Sequence, residues 1–380
     1  YLMNDIQMVD LKGQYQKIKD KVDEGIAEVI NSAAFINGPY VKSFQEDLEQ
    51  YLGSKHVIPC GNGTDALQIA MMALGLKPGD EVITTTFTFV ATAEVIALLG
   101  LVPVLVDVDP DTYNISVESM KAAITDKTRA IVPVHLYGQC SNMEAILEIA
   151  DEKCLFVIED TAQAIGADFT YKNGTVKKAG TMGIIGCTSF FPSKNLGCYG
   201  DGGAIYTDND TLAEKMRMIV NHGMKVRYYH DEIGVNSRLD SMQAAVLGVK
   251  LKELDGYNAA RRSAADYYDN AFSSCDKIIT PVRASYSTHV FHQYTMRVVG
   301  VDRNALQAFL SEHKVPAMIY YPVPLHQQKA YKDNRYNDGD FPISEMLSKE
   351  VISLPMHTEL TEEQLQFITS KVLEFVNKNK

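Results

Sequence analysis

The sequence lacks an excess of positive charge: 36 lysines and arginines stand against 48 aspartates and glutamates, a net charge of -12 over 380 residues. Neither a nucleic acid nor an anionic membrane surface attracts such a chain, so non-specific binders of both kinds are excluded and no nucleic-acid or membrane partner is expected. Any phosphate it holds must be met by local groups. It also lacks an apolar run long enough to cross a bilayer. The start, Tyr1-Leu-Met3-Asn-Asp, has neither the charged nor the apolar region of a signal peptide. The expectation is a cytoplasmic protein, with Tyr1 and Leu2 standing ahead of a native Met3. Six cysteines, at 60, 140, 154, 187, 198 and 275, form no Cys-x-x-Cys pair. A disulfide framework and a zinc site are thereby disfavoured, and reduced, mostly buried thiols are expected. His289 and His292 fall in a strand-like run, residues 288–298, where a spacing of three puts them on opposite faces, so no shared metal is expected. Internal repeats and low-complexity segments are absent too.

What is present is an apolar content of 46%, enough for a real core, in a length that fits two domains. Ile18, Val22, Ile26 and Val29 recur at helical spacing, as do Val41, Phe44, Leu48 and Tyr51, with Asn37-Gly38-Pro39 between the two sets. Apolar strands follow at residues 82–85, 102–108, 130–135 and 155–159, with helices such as 91–99 and 143–150 between them. Alternation of this kind implies an α/β fold with a mostly parallel sheet covered on both faces, and ligands bind at the carboxyl ends of such strands. From Ser237 a long helix is expected to about Phe272, with Ser237-Arg-Leu-Asp240 read as a capping box. It links a large domain over residues 1–245, including the helical start, to a small C-terminal domain over 246–380. The latter holds a strand at 293–299, a helix at 304–313, the loop Tyr320-Tyr-Pro-Val-Pro-Leu-His326 and a last helix at 362–376.

Three segments carry chemistry. The run from Thr188 to Ala204 reads Thr-Ser-Phe-Phe-Pro-Ser-Lys194-Asn-Leu-Gly-Cys-Tyr-Gly-Asp-Gly-Gly-Ala. Residues 186–191 read as a strand ended by Pro192. Gly197, Gly200, Gly202 and Gly203 then supply the backbone freedom that a close ligand approach requires. A lysine held there loses its proton readily and attacks a carbonyl, as a Schiff base with an aldehyde cofactor requires; the alternative is a surface lysine in a turn. Cys60-Gly-Asn-Gly63-Thr64-Asp-Ala-Leu67 joins a short strand to a helix whose N-terminus offers free N–H groups to a phosphate. The same Gly61-x-Gly63-x-x-Ala66 fits a dinucleotide fingerprint, so a nicotinamide-dependent dehydrogenase is a rival, and a plain helix cap is a third reading. Finally, Leu155-Phe-Val-Ile-Glu-Asp160-Thr-Ala-Gln163 ends a buried strand in an acid. Asp160 there can hold a pyridine nitrogen protonated, and Gln163 can reach the ring's phenolic oxygen, although a helix N-cap is the competing role for Asp160. Phe89, in Phe87-Thr-Phe89-Val90, either covers a cofactor face or packs in the core.

With these residues the chain resembles the nucleotide-sugar aminotransferases of the DegT type, within the fold-type I pyridoxal phosphate enzymes. The resemblance runs through Val9-Asp-Leu-Lys, Gly61-Asn-Gly-Thr-Asp-Ala-Leu, Pro78-Gly-Asp-Glu-Val, Glu159-Asp-Thr-Ala-Gln, Ser189-Phe-Phe-Pro-Ser-Lys, Gly234-Val-Asn-Ser-Arg-Leu-Asp and Ser353-Leu-Pro-Met-His. It implies a pyridoxal 5'-phosphate enzyme with Lys194 as the Schiff-base lysine and proton carrier. Asp160 would pair with the pyridine nitrogen, Gln163 would contact the phenolic oxygen and Phe89 would stack on the ring. Gly63, Thr64 and Ser189 would hold the phosphate, with Asn236 from the neighbouring subunit completing it in a homodimer, unless Asn236 only starts the helix. L-glutamate is the implied amino donor, and C3 of a UDP-linked 2-acetamido-2-deoxy-3-oxo-glucuronate the implied acceptor, in surface polysaccharide or lipopolysaccharide biosynthesis. Arg238 would reach the sugar carboxylate across the dimer, its plain alternative being a surface residue at a helix start. Tyr321 and His326 would belong to the sugar site, yet Tyr320 and His326 depart from that group's pattern, which leaves other UDP- or dTDP-linked 3-keto or 4-keto sugars open. A sugar dehydratase of the same fold, which typically carries histidine in place of the lysine, and a non-catalytic regulator, which would lose Lys194 or Asp160, are the remaining alternatives.

Overall fold

Helices α1 (Leu11–Ser32) and α2 (Pro39–Leu52) open the chain in the computed structural model, which describes residues 5–378. The reading of Tyr1 and Leu2 as residues ahead of a native start lies outside the described residues. Ile18, Val22 and Val29 share the buried face of α1, and Val41, Phe44 and Leu48 that of α2, as the spacing requires. Asp10 caps α1 by accepting the Gly13 N–H, and Pro39 opens α2, where a missing N–H costs nothing.

Strands β1 (His56–Cys60), β2 (Glu81–Thr85), β3 (Val102–Val106), β4 (Thr128–Ile131) and β5 (Phe156–Asp160) follow. Between them lie α3 (Gly63–Ala73), α4 (Ala91–Leu98), α5 (Val117–Ala122) and α6 (Met143–Lys153). A small hairpin, β6 (Asp168–Thr170) and β7 (Val176–Lys178), precedes β8 (Ile185–Ser189) and β9 (Gly203–Thr207). Seven strands build one sheet in the order β1-β9-β8-β5-β4-β2-β3. The run from β8 to β3 is parallel, and β9 lies antiparallel to both its neighbours.

Strand β9 begins at the end of the glycine-dense run. None of Gly197, Gly200, Gly202 and Gly203 adopts a left-handed φ, so their role is not the expected freedom of φ. Two of them are needed because main chain passes close by: a Cβ on Gly203 would lie 2.5 Å from the Asn62 main chain, and one on Gly197 2.4 Å from the Pro192 carbonyl oxygen. Other bounds move for local reasons. The strand expected over 130–135 stops at Ile131, because Pro133 cannot donate to a ladder, and pairing resumes only as a bridge between Val134 and Asp160. β8 ends at Ser189, before Pro192, as Phe190 turns its ring into the core against Phe44.

After α7 (Asp210–Ile219) come a second hairpin, β10 (Met224–Val226) and β11 (Tyr229–His230), then α8 (Ser241–Leu251) and α9 (Leu254–Phe272). The single helix expected from Ser237 is thus two helices, and the capping box is not formed. Asp240 precedes α8 without a side-chain cap, while Ser237 donates its hydroxyl to Asp65 at 2.6 Å and accepts the Gly61 N–H at 2.9 Å. The C-terminal part adds β12 (Ile278–Ile279), β13 (Tyr294–Val298), α10 (Arg303–Glu312), α11 (Pro342–Glu350), β14 (Val351–Leu354) and α12 (Glu362–Lys378). Strands β12, β13 and β14 form a second, antiparallel sheet. Residues 288–293 are not strand, and Phe291 has φ 44, so the face argument for His289 and His292 does not apply; both are buried. Among the described residues no cluster of histidine, cysteine and carboxylate side chains could hold a metal ion.

The expected boundary after residue 245 falls inside α8, whose Ala244, Leu247 and Leu251 share a core with α2. The change of core comes within α9. Leu254 still belongs to that first core, and Ala264, Ala265, Tyr268 and Phe272 belong to the C-terminal one with β13, β14, α10 and α12.

Candidate active site

The carboxyl ends of β5 and β8, the loop after β2 and the N-terminus of α3 surround one cavity of about 730 Å³. This is where a parallel sheet offers ligand space, since the strands end and the helices begin there. Gly63, Thr64, Phe89, Asp160, Gln163, Ser189, Lys194 and Tyr321 all line it.

At one end, Asn62 caps α3 by accepting the Asp65 N–H at 2.8 Å, which orients the helix so that its first turn faces the cavity. The N–H groups of Gly63 and Thr64 precede the helix's own bonding pattern and carry its positive dipole end. Gly63 has to be glycine here: a Cβ would lie 2.6 Å from the Ser189 Cβ. Helix start and strand end are thereby pressed together, with the Ser189 hydroxyl at the cavity wall accepting the Phe191 N–H at 3.2 Å. Such a corner suits a phosphate dianion.

At the other end, Asp160 is buried, and no helix follows it, so the N-cap reading fails. Its Oδ1 accepts the Ala162 N–H at 3.1 Å, and its Oδ2 accepts the hydroxyl of Thr92, on α4, at 2.9 Å. Gln163 accepts the Tyr137 N–H through Oε1 at 2.7 Å and donates Nε2 to the Tyr321 hydroxyl at 3.2 Å, which fixes the orientation of its amide. Phe89 is 55% exposed, its ring 6.5 Å from that of Tyr321, so it faces the cavity rather than packing in the core.

Lys194 sits in a turn closed by its own N–H bonding to the Phe191 carbonyl at 2.8 Å. It is partly buried and lines the cavity. Burial pushes its ammonium down from 10.5 to about 8, and the charge of Asp160 pulls partly the other way. At pH 7 roughly a tenth of Lys194 is therefore the neutral nucleophile, far more than the ordinary value of 10.5 leaves.

Three predicted site residues lie elsewhere in the single chain. Asn236 is exposed and accepts one arm of the Arg238 guanidinium at 2.5 Å, while the other arm donates to Asn221 Oδ1 at 3.1 Å. Neither lines the cavity. His326 is buried behind it with both ring nitrogens engaged, Nδ1 with the Thr86 hydroxyl at 2.8 Å and Nε2 with Glu345 at 3.2 Å, so it has no free edge for a sugar. The structure adds residues that were given no role in the site: Thr92 on Asp160, Tyr320 beside Tyr321, Thr88 with a buried hydroxyl that has no partner, and His292. Burial and the neighbouring Lys194 and Arg261 charges hold His292 well below the usual histidine range. Thr92 had a faint signal, its place four residues after Thr88 at a helix start; its partner is 68 residues away.

This donor set fits pyridoxal 5'-phosphate. A helix N-terminus would meet the phosphate, a buried carboxylate the pyridine nitrogen, an amide the phenolic oxygen, and an amine of low proton affinity the aldehyde.

Residues 16–373 match the family model described as the DegT/DnrJ/EryC1/StrS aminotransferase family. The chain is 50% identical over 97% of its length, and 98% of the relative's, to a protein of Geobacillus stearothermophilus named pleiotropic regulatory protein. It is 46% identical over 96% of its length, and 98% of the relative's, to the UDP-2-acetamido-2-deoxy-3-oxo-D-glucuronate aminotransferase of Pseudomonas aeruginosa. Among solved structures, NtdA from Bacillus subtilis with bound cofactor PMP superposes with a TM-score of 0.91 at 32% identity, covering 99% of this chain and 86% of that one.

Proposed function

The chain belongs to the DegT/DnrJ/EryC1/StrS aminotransferase family, a pyridoxal phosphate-dependent transaminase by its cofactor set, and we propose that it transfers the amino group of L-glutamate to C3 of a UDP-linked 2-acetamido-2-deoxy-3-oxo-glucuronate. The observation that carries this reading is the convergence of Lys194, Asp160 and the α3 N-terminus on one cavity, in a chain 46% identical to an aminotransferase named for that sugar. When bound, the cofactor supplies an electron sink and carries the amino group from donor to acceptor. Lys194 moves the proton at the substrate carbon, its lowered affinity matching that task. Asp160 keeps a positive charge on the pyridine nitrogen, Gln163 orients the phenolic oxygen, Phe89 covers one ring face, and Gly63, Thr64 and Ser189 hold the phosphate.

The active unit is a homodimer in which Asn236 completes the partner's phosphate site and Arg238 reaches the partner's sugar carboxylate. Exposed apolar side chains on the second hairpin and just after it support this: Tyr228, Tyr229 and Ile233 are 74%, 70% and 86% exposed, more than a free surface leaves on one short segment. Tyr321 lines the sugar side. The enzyme works in the cytoplasm, in surface polysaccharide or lipopolysaccharide synthesis. The name of the Geobacillus relative favours a second reading, a regulatory protein; the retained Lys194 and Asp160 favour catalysis.

The test is spectroscopic. L-glutamate added to the yellow protein should convert its visible band to that of the amino form, and UDP-3-oxo-glucuronate should restore it. A protein that takes up no cofactor sinks both halves of the proposal. Conversion by glutamate with restoration by a UDP- or dTDP-linked 4-keto sugar alone replaces the acceptor and leaves the chemistry.

A further inference from the structure

His135 and Glu159 are both wholly buried behind the cavity, and neither has been given a part in the site. Glu159 directly precedes Asp160 on β5, so its side chain leaves the opposite face of the strand. Its carboxylate accepts four hydrogen bonds: Oε2 from His135 Nε2 and the Gly180 N–H, each at 2.8 Å, and Oε1 from the Met182 and Gly183 N–H groups, each at 2.6 Å. His135 Nδ1 accepts the Ser141 N–H at 3.0 Å, which places the ring proton on Nε2, facing Glu159.

The segment carrying His135 also holds both ring-gripping residues. The His135 main-chain N–H donates to the Asp160 carbonyl at 3.0 Å, and two residues later the Tyr137 N–H donates to Gln163 Oε1 at 2.7 Å. The turn at 180–183, bound to the same carboxylate, leads into β8, which ends in Ser189 ahead of Lys194. We infer that the His135–Glu159 pair is the positioning device of the cofactor site: one buried carboxylate registers the loop that orients Asp160 and Gln163 against the strand that delivers Ser189 and Lys194. A buried acceptor with four donors is met in a single geometry, and loss of any one leaves a buried polar group unpaired, so the pair resists the small slides between strands that a ring held from two sides cannot tolerate.

This inference rests on the placing of Asp160 against the pyridine nitrogen proposed above. Cofactor dissociation constants and the visible band of the reconstituted protein are measured for Glu159→Gln, His135→Ala and His135→Gln, each in the wild-type and the Asp160→Asn backgrounds. Glu159→Gln presents an amide N–H to donors and should weaken cofactor binding roughly tenfold, the scale seen when an outer partner of a ligand is lost, and should shift the band. His135→Ala should do the same, and His135→Gln, which can still donate to Glu159 and accept from Ser141, should recover most of the loss. In the Asp160→Asn background the further loss should be smaller than in the wild type, because the part that acts through Asp160 has nothing left to position, while the part that acts through Gln163, Ser189 and Lys194 remains. A folded Glu159→Gln or His135→Ala protein with wild-type affinity and band overturns the inference, as does an equal loss in both backgrounds. If Glu159→Gln does not fold, the two His135 variants decide. An Asp160→Asn protein that binds cofactor as the wild type does would instead overturn the placing of Asp160.

Discussion

The charge of Asp160 opposes the burial of Lys194: enclosure drives the lysine's proton affinity down to about 8, and the carboxylate across the cavity keeps it from falling further. The neutral amine is the reactive form. Competitive acetylation of the cofactor-free chain, read by mass spectrometry, should show Lys194 labelling rise with pH through about 8 and level off above it, while exposed lysines follow the ordinary value of 10.5. Asp160→Asn removes the raising influence, so the midpoint should move to lower pH. A midpoint that stays put or moves up in that variant would show that the two groups do not sense one another.

Gly63→Ala tests the corner where α3 meets β8. The added methyl would lie 2.6 Å from the Ser189 Cβ and 3.2 Å from its Cα, and the second of these is main chain that cannot rotate away. Separation of strand end and helix start should destabilise the fold by about 1–3 kcal/mol, as overpacking does. It should also weaken cofactor binding, because the N–H groups of residues 63 and 64 move off the phosphate. Thermal unfolding with and without cofactor separates the two effects. A loss of stability with unchanged cofactor affinity would detach this corner from the phosphate.

What could be read in the sequence is what depends on near neighbours. Lys194, Asp160 and the Gly63-Thr64 turn each stand at the end of a short apolar run, and the sheet brings such ends together. The contacts that finish the site are long-range: Thr92 meets Asp160, and Tyr137 meets Gln163, across connections whose path no local pattern specifies. His135 looked like the end of a strand, and its pairing with Glu159 depends on the register of β4 against β5. Strand β9, Gly-Ala-Ile-Tyr-Thr, is only five residues long and begins on the last glycine of the turn, whose use the crowding at Asn62 explains. The capping box at Ser237 failed because its hydroxyl oxygen accepts the Gly61 N–H, 176 residues away in the chain, instead of a helix N–H, while its proton goes to Asp65.

Mixed dimers test whether Asn236 acts across the interface. Lys194→Ala and Asn236→Ala proteins should each have low activity as homodimers. Combined in one dimer, the lysine variant lends its intact Asn236 to the other chain's intact Lys194, and about half the wild-type activity per dimer should return. If Asn236 served its own chain, every site in the mixture would carry a defect and nothing would return. Replacement of Tyr228 and Tyr229, 74% and 70% exposed, by aspartate should shift sedimentation toward the monomer and lower activity in parallel.

Arg238 carries the last prediction, on substrate choice. Its guanidinium is held by Asn221 at 3.1 Å and Asn236 at 2.5 Å, which occupy two of five N–H donors and leave a fork for a carboxylate. A charge-assisted pair of this kind contributes about 1.5–3 kcal/mol. Arg238→Ala should therefore raise KM for a UDP-3-oxo-glucuronate by roughly 10- to 100-fold, while a UDP-3-oxo sugar bearing a hydroxymethyl group in place of the carboxylate loses far less. Arg238→Lys keeps the charge but not the fork, and should fall between. The effect should appear in KM rather than kcat, because the carboxylate lies away from the reacting carbon and is bound equally before and during the reaction. Since Arg238 also touches Asn236, its removal could act on the phosphate instead; cofactor affinity measured on the same variant separates the two. Equal losses for charged and uncharged sugars, with cofactor affinity unchanged, would take the carboxylate out of the recognition and return the choice among keto sugars to Tyr320 and Tyr321.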